Sequence, residues 1–151
     1  MKARSGILLV GSLLMGLLVG VGGVAASAGT LSSQHSVFTS GVFKYDDCAI
    51  IQTDTGQVRG KAQIKRVGAS TPANYAGANG RYFRASTNAL VAETGFHFNS
   101  TVIPDYLSMV VSTNYKYVAT GINYYAWGVV KGSNSSTYAT YYTFKTVNQH
   151  T

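Results

Sequence analysis

The sequence has one cysteine, two prolines and five acidic residues among its 151 positions. A single cysteine cannot form a disulfide within the chain, so packing and hydrogen bonds must stabilise the fold. Five carboxylates and three histidines leave few groups from which a catalytic centre or a metal site can be built. After residue 28 no stretch has the apolar i, i+3, i+4, i+7 spacing of an amphipathic helix, so we expect no long helix there.

The first 28 residues have the composition of a secretion signal. Met1, Lys2 and Arg4 make a basic start, and Gly6 to Val24 carries no charge. Ala26-Ser27-Ala28 has the small-x-small pattern that a signal peptidase reads, so we expect cleavage after Ala28, with a cut after Ala26 as the alternative. A retained membrane anchor is the other interpretation, because the uncharged run approaches the roughly 20 residues that cross a bilayer. The glycines and serines that dilute the run favour removal.

Basic residues outnumber acidic ones after the signal. Removing Lys2 and Arg4 leaves ten of the twelve basic residues against five acidic ones, a net charge of +5. The densest basic group lies within eight residues and consists of Arg59, Lys61, Lys65 and Arg66. Outside the cell, the partners that match this charge are a cell-wall polymer, an acidic glycan or an anionic membrane surface. A charge that only keeps the protein soluble is the alternative, and the lack of a recognisable nucleic-acid-binding module predicts no nucleic-acid partner.

Residues after 28 have a strand composition, rich in Tyr, Phe, Val, Thr and Ile. Alternation and turn signals predict six to eight strands, and hence an all-β antiparallel β-sandwich, Ig-like or with a small barrel as the alternative. We expect a signal peptide at 1–28, a flexible leader at 29–36 and a single β domain at 37–149. The predicted strands cover Val37–Asp54, Gln57–Val67, Tyr75–Ala85, Ala89–Asn99, Tyr106–Thr113, Tyr115–Thr120, Ile122–Lys131 and Thr137–Thr146.

The first two of these segments predict a hairpin with one wet, basic face. Asp54-Thr55-Gly56 supplies the turn, and Gly60 inside the returning strand is interpreted as a bulge. The last two predicted strands are joined by the loop Gly132–Ser136.

Catalytic and metal-binding patterns are poorly represented. Cys48 and His97 with an Asn or Asp have the residue types of a cysteine nucleophile and its base, but Asp46 and Asp47 beside Cys48 would raise the pKa of the thiol. No local signal distinguishes one acid pair as that of a glycosidase. The histidines lack metal-ligand spacing, and Asp46-Asp47 lacks the alternating oxygen ligands of a calcium loop. We therefore expect a buried or idle thiol, with an intermolecular disulfide as the alternative, and no catalytic residue, no metal and no cofactor.

Aromatic side chains are the main functional signal. Eight of them fall between Tyr115 and Tyr142, and strands with tyrosine on both faces cannot bury them all behind one sheet. Tyrosine combines a large contact area with a polar tip, which suits binding surfaces. The candidate binding residues in this region are Tyr124, Tyr125, Trp127, Tyr141 and Tyr142. Tyrosines that simply cover the sheets are the alternative.

Three short motifs carry a family resemblance. Asn79–Phe83, Tyr124–Gly128 and Tyr138–Phe144, followed by Asn148-Gln149, resemble a set of small secreted, tyrosine-rich proteins of Gram-positive bacteria, over roughly Val58 to Gln149. The resemblance implies export and a β-rich domain, and it carries no catalytic residue.

The leading hypothesis from the sequence is a secreted, non-enzymatic binding protein that acts at the cell envelope or at an extracellular surface. A bacteriocin or another toxin-like antimicrobial protein is the first alternative, on the same charge and aromatic content. A small secreted hydrolase is the second.

Overall fold

The computed structural model describes residues 29–151, so the signal peptide predicted to end at Ala28 lies outside the described residues. Residues 29–151 contain strands and turns and no helix, which confirms the all-β prediction. The strands are β1 (Gly29–Ser32), β2 (Ser36–Ser40), β3 (Phe43–Asp54), β4 (Gln57–Arg66), β5 (Ala76–Asn79), β6 (Arg81–Arg84), β7 (Leu90–Glu93), β8 (His97–Phe98), β9 (Met109–Ser112), β10 (Lys116–Tyr117), β11 (Asn123–Ala126), β12 (Val129–Ser133), β13 (Tyr138–Tyr142) and β14 (Gln149–His150).

The first layer is a six-stranded antiparallel sheet built on the predicted hairpin. β3 and β4 pair continuously from Tyr45↔Arg66 to Asp54↔Gln57. β1 and β2 pair with β3, while β9 and β10 pair with β4. β3 and β4 pair with each other along one edge. β1 and β2 therefore lie along the other edge of β3, and β9 and β10 lie along the other edge of β4. The first layer therefore has four rows, and each outer row is broken into two strands.

The second layer also has four rows, and every row is broken. One antiparallel sheet has the order β13-β12-β5-β8, and the other has the order β14-β11-β6-β7. β5 leads into β6 through Gly80, and β11 leads into β12 through Trp127 and Gly128. The strand predicted over Tyr75–Ala85 is thus divided at Gly80 between two sheets.

Glycine is needed at these breaks because the two layers approach each other closely there. A Cβ on Gly128 would lie 2.6 Å from the Ala62 Cβ, and one on Gly80 would lie 2.7 Å from the carbonyl oxygen of Val111. A Cβ on Gly60 would lie 2.6 Å from the carbonyl oxygen of Arg81. The β3–β4 register runs through Gly60 without a shift, but on the other edge of β4 the register shifts by one residue between Lys61↔Ser112 and Val58↔Lys116. The irregularity predicted at Gly60 therefore lies opposite it, between β9 and β10, and the glycine itself is required by close backbone approach.

The core lies between the layers as two clusters, one beside each sheet of the second layer. The first cluster contains Phe38, Tyr45, Ala62, Ile64, Ala76, Ala78 and Val130. The second cluster contains Ala49, Ile51, Val58, Tyr82, Tyr124 and Ala126. Two layers packed face to face over this core confirm the β-sandwich, and no sheet within residues 29–151 closes on itself, so the small-barrel alternative is wrong.

The predicted flexible leader is also wrong. Gly29–Ser32 forms β1, which pairs with Ile50–Thr53 of β3. Ser33 continues the ladder, because its N–H donates to Ala49 O at 2.8 Å and its hydroxyl accepts from Ala49 N–H at 2.9 Å. The polar residues of this segment are therefore tied to the sheet edge through their backbone and hydroxyl groups. Within the described range, no helix is long and apolar enough to cross a membrane.

Candidate functional site

Two central strands of the second layer, β5 and β12, turn small side chains towards the core. Ala76 and Ala78 of β5 are buried against the first layer, as are Val130 and Gly132 of β12. Side chains alternate along a strand, so Gly77, Val129 and Lys131, with their cross-strand neighbours, lie on the outer surface of this layer.

We call this outer surface the aromatic face. Its rings are Phe83, Phe96, Phe98, Tyr125, Trp127, Tyr138 and Tyr142. The cross-strand register places Phe83 opposite Tyr125 and places Val129 opposite Tyr142. Phe83 and Tyr125 are buried beneath the other rings, whereas Phe96, Phe98, Tyr138 and Tyr142 are 37–57% exposed and Trp127 is partly exposed.

Trp127 lies at the centre of one group of these rings. Its ring centroid is 5.2 Å from that of Tyr142 and 6.0 Å from that of Phe83. Phe83 in turn stacks on Tyr125 at 5.3 Å with an interplanar angle of 11°. The Tyr125 hydroxyl donates to the Asn88 side-chain oxygen at 3.0 Å. These contacts hold the indole in place while leaving it partly exposed.

The second group surrounds β8. Phe98 covers Gly77, whose missing side chain provides the space: a Cβ there would lie 2.6 Å from the Phe98 ring. The Phe98 ring lies 5.0 Å from that of Tyr138 and 6.4 Å from that of Phe96. The Tyr138 hydroxyl donates to Asn74 O at 2.6 Å. Tyr138 and Tyr142 stand on the same side of β13, so the two groups form one strip.

Three cations are interleaved with the rings. The Lys145 ammonium lies 5.0 Å from the Tyr125 centroid and 4.9 Å from that of Trp127. The Arg81 guanidinium is 5.1 Å from the Phe83 centroid, and the Lys131 ammonium is 4.2 Å from that of Phe96. Cation–π contacts of this kind hold each charge at the ring surface.

One carboxylate accompanies these cations. Glu93 lies 4.0 Å from Arg81 Nε and accepts a hydrogen bond from Asn79 Nδ2 at 2.9 Å. Arg81 Nε itself is buried and has no hydrogen-bond partner within residues 29–151. The other four acidic residues lie in β3 and in the loop after β8. The aromatic face is therefore net positive.

No protein family, curated protein or solved structure matches this chain.

The predicted aromatic site residues divide between the two sides of the second layer. Trp127 and Tyr142 are together on the aromatic face, and Tyr125 supports them from beneath as a largely buried ring. Tyr124 instead points into the core, where its ring packs edge-on against Tyr82 at 6.1 Å. Tyr141 turns to the inner side and stacks on Phe38 at 4.0 Å, so Tyr124 and Tyr141 are not part of this surface.

The predicted basic group lies on the opposite outer surface of the sandwich. Arg59, Lys61 and Lys65, which we call the basic row, alternate along β4 with the buried residues Val58, Ala62 and Ile64. They therefore face away from the second layer. Arg66 does not share their side, because it pairs with the inward-facing Tyr45 and places its guanidinium 4.1 Å from the Phe43 ring centroid.

The basic row makes contacts within the protein. Arg59 donates twice to the Gln52 side-chain oxygen, at 2.9 and 2.6 Å, and stacks over Tyr115 at 4.2 Å. Partial burial, with a smaller effect of the neighbouring Arg59 charge, lowers the pKa of Lys61. Arg59 is thus engaged in structural contacts of the first layer.

The geometry argues against Cys48 as a nucleophile. Cys48 is buried in the first layer, whereas His97 lies in β8 of the second. Burial, reinforced by the charges of Asp46 and Asp47, raises the pKa of Cys48 to about 11. A thiol with that pKa is almost entirely protonated at neutral pH.

The histidines and carboxylates occupy separate places. His35 contacts Asp46 at 2.9 Å, His97 contacts Thr94 O at 3.2 Å, and His150 contacts Asn123 at 3.0 Å. Among the residues that the structure describes, no group of three or more His, Cys, Asp or Glu side chains is placed to hold a metal ion.

A cleft of about 580 Å³ borders the aromatic face at one sandwich edge, between β7–β8 and β9–β10. Glu93 and His97 line one wall, while Asn114, Tyr115 and Lys116 line the other. The cleft is open and polar, and Glu93 connects it to the aromatic face.

Sequence reasoning missed several members of the aromatic face as site residues. Arg81 and Phe83 lie two residues apart in β6, as do Phe96 and Phe98 around β8, and Lys145 follows β13. The period-two spacing was a usable signal for a shared side. The spacing does not show which side of the strand is buried. The burial of Ala76 and Ala78 against the first layer shows it.

Proposed function

We propose that this protein is a secreted, non-enzymatic binding protein of the cell envelope, and that its aromatic face holds an acidic glycan or cell-wall polymer. One observation carries the proposal: β5 and β12, the central strands of one second-layer sheet, place alanine, glycine and valine on their buried side, whereas the outer side of the layer carries the partly exposed rings of Phe96, Phe98, Trp127, Tyr138 and Tyr142. Full burial of one large apolar side chain contributes roughly 1.5–3 kcal/mol to stability. The chain forgoes part of that gain at several positions, which favours a surface kept for a ligand.

The chemistry of the face fits a polymer that carries both sugar rings and negative charges. Flat rings such as Trp127 and Tyr142 offer apolar area to the C–H faces of sugars, while tyrosine hydroxyls can exchange hydrogen bonds with sugar hydroxyls. Arg81, Lys131 and Lys145 supply attraction for carboxylate or phosphate groups. Because these cations are spread along the strip, a ligand with repeated charges can engage several of them at once.

Binding to purified acidic cell-wall polymer tests the proposal. The protein is purified from the medium of a host that carries the full-length gene, and sequencing of its N-terminus, expected at Gly29, tests export. In calorimetric titrations, Trp127→Ala should weaken polymer binding by at least about tenfold, since aromatic anchors dominate such surfaces. Lys145→Gln should weaken binding less and reduce its salt dependence.

Tyr117→Ala is the matched control. Tyr117 is 82% exposed and lies in β10 of the first layer, away from the aromatic face. Its removal takes away an exposed aromatic ring elsewhere in the protein and should leave polymer affinity unchanged. The proposal fails if wild-type protein binds neither acidic nor neutral envelope glycans, or if Trp127→Ala binds as tightly as wild type.

A further inference from the structure

One end of the sandwich carries apolar side chains in its turns. We call this set the apolar tip; it consists of Val42, Val67, Val102, Tyr106 and Leu107. Val42 lies in the β2–β3 turn and is 88% exposed, and Tyr106 in the β8–β9 loop is 78% exposed. Val67 begins the β4–β5 loop, so three separate connections contribute to the set.

Other turns of the described residues have the usual polar composition. The β3–β4 turn is Asp54-Thr55-Gly56, the β6–β7 turn contains Ser86-Thr87-Asn88, and the β12–β13 turn contains Asn134-Ser135-Ser136. Gly, Asn, Asp and Ser dominate surface turns because they adopt the backbone geometry readily and are well solvated. Valine and leucine have neither advantage, so the exposed apolar residues of the apolar tip need an explanation other than turn formation.

The loops of the apolar tip are braced against one another. Val67 N–H donates to Lys44 O at 2.9 Å, and Thr71 and Ile103 exchange two backbone hydrogen bonds at 2.7 and 2.9 Å. The buried Asn99 side chain donates to Pro72 O at 2.7 Å and to Thr101 O at 2.9 Å. These loops are therefore fixed in a conformation that holds the apolar side chains outwards.

Cations flank the apolar tip. Lys44 is the second residue of β3, two residues after Val42, and Lys65 and Arg66 end β4 next to Val67. Asp105 is the acidic residue in the tip loops, and Asp46 lies opposite Lys65 in the β3–β4 register. Three cations therefore accompany two carboxylates at this end, and the guanidinium of Arg66 lies over the Phe43 ring at 4.1 Å.

From this arrangement we infer that the apolar tip docks onto an anionic lipid surface. Apolar side chains on several fixed loops can enter the boundary between head groups and acyl chains together. Lysine and arginine at the rim then meet the negative surface potential of anionic lipids. The inference concerns a surface separate from the aromatic face and does not depend on polymer binding there.

Vesicle co-sedimentation tests this inference. Wild-type protein should bind vesicles of phosphatidylcholine with phosphatidylglycerol more tightly than vesicles of phosphatidylcholine alone, and added salt should weaken the binding. The triple variant Val42→Ser, Tyr106→Ser and Leu107→Ser should bind the anionic vesicles at least about tenfold more weakly. Val42→Ser alone should lower binding at least about twofold. Because Val42 is exposed in a turn, this single variant should fold normally, so it tests the inference even if the triple variant misfolds.

Val147→Ser is the matched control, because Val147 is 68% exposed but lies just before β14. It should bind vesicles as wild type does, and so should Trp127→Ala. The triple variant should in turn keep its affinity for acidic polymer, which separates this inference from the proposed function. The inference is overturned if wild type ignores anionic vesicles, if the tip variants bind them undiminished, or if the substitutions abolish self-association and leave vesicle binding intact.

Discussion

Asp47 is a buried carboxyl group with incomplete hydrogen bonding. Its Oδ1 accepts from the Ser36 hydroxyl at 2.8 Å, whereas its Oδ2 has no partner within residues 29–151. Burial raises the pKa of Asp47; the Ser36 hydrogen bond lowers it, and the charge of Asp46 raises it further. Because an unpaired buried charge is costly, folding shifts this group towards its protonated form relative to the unfolded chain.

The raised pKa of Asp47 predicts how stability depends on pH. Its contribution is fully present below the unfolded-state pKa and is lost as pH rises through the folded-state value. Asp47→Asn, which is neutral at every pH, should therefore be more stable than wild type at pH 7, by on the order of 1 kcal/mol. Urea unfolding of both proteins from pH 3 to pH 8 measures this difference. Parallel stability curves across that range would contradict it.

Single residues also mark the limit of sequence reasoning about the candidate site. Tyr124 and Tyr125 are adjacent and of the same type, yet one is a core residue and the other supports the aromatic face. Alternation placed them on opposite sides of the strand, but it could not identify the solvent-exposed side because both sides of β11 carry tyrosine. Tyr82 and Ala126, which pack with Tyr124 between the layers, decide that question, and their packing is tertiary.

At the level of elements, Thr, Ser and Asn side chains replace backbone acceptors in the hydrogen-bond ladder where a strand is interrupted. Thr143 N–H donates to Gly128 O at 3.2 Å, and its hydroxyl accepts from Gly128 N–H at 2.9 Å. The same exchange joins Thr113 to Gly60, Thr94 to Gly80, Thr146 to Ala126 and Asn99 to Ala76. Each side chain supplies the acceptor that an interrupted strand no longer provides, which explains why so many threonines are buried.

Thr143 offers a direct test of this role. Thr143→Val keeps the shape but leaves the buried Gly128 N–H without an acceptor, which should lower the free energy of unfolding by about 1–3 kcal/mol. Thr143→Ser retains the hydroxyl and should lose less than about half as much. Chemical denaturation of the three proteins makes the comparison. Equal losses in the two variants would mean that the methyl group, not the hydroxyl, is what matters.

Element prediction succeeded where strands are long and failed where rows are broken. The hairpin of β3 and β4 follows from its alternation and from the Asp54-Thr55-Gly56 turn. The division of Tyr75–Ala85 at Gly80 did not follow, because the glycine is dictated by the close approach of β9 and β4 and not by its neighbours in the sequence. Similarly, Gly29–Ser32 is a strand because β3 offers it an edge, although its composition is that of a loop.

On the scale of the whole molecule, the aromatic face and the basic row lie on opposite outer surfaces. A ligand held by Trp127 cannot at the same time lie along the basic row, so that row acts on such a ligand only through its long-range field. At physiological ionic strength, this field is screened beyond roughly 8 Å.

The triple variant Arg59→Ser, Lys61→Ser and Lys65→Ser should accordingly change the equilibrium affinity for acidic polymer by less than about threefold, while slowing association at low salt. Surface plasmon resonance at low and physiological salt separates the two effects. A tenfold loss at physiological salt would move the binding site to the first layer.

The location of Trp127 has a practical consequence. It is the one tryptophan of the chain, and it lies between Tyr142 and the Lys145 ammonium at the centre of the aromatic face. Nearly all intrinsic emission excited at the red edge of indole absorption therefore originates at this surface. An occupant that displaces water from the indole will shift that emission to shorter wavelength, so the unlabelled molecule is its own fluorescent sensor for screening ligands.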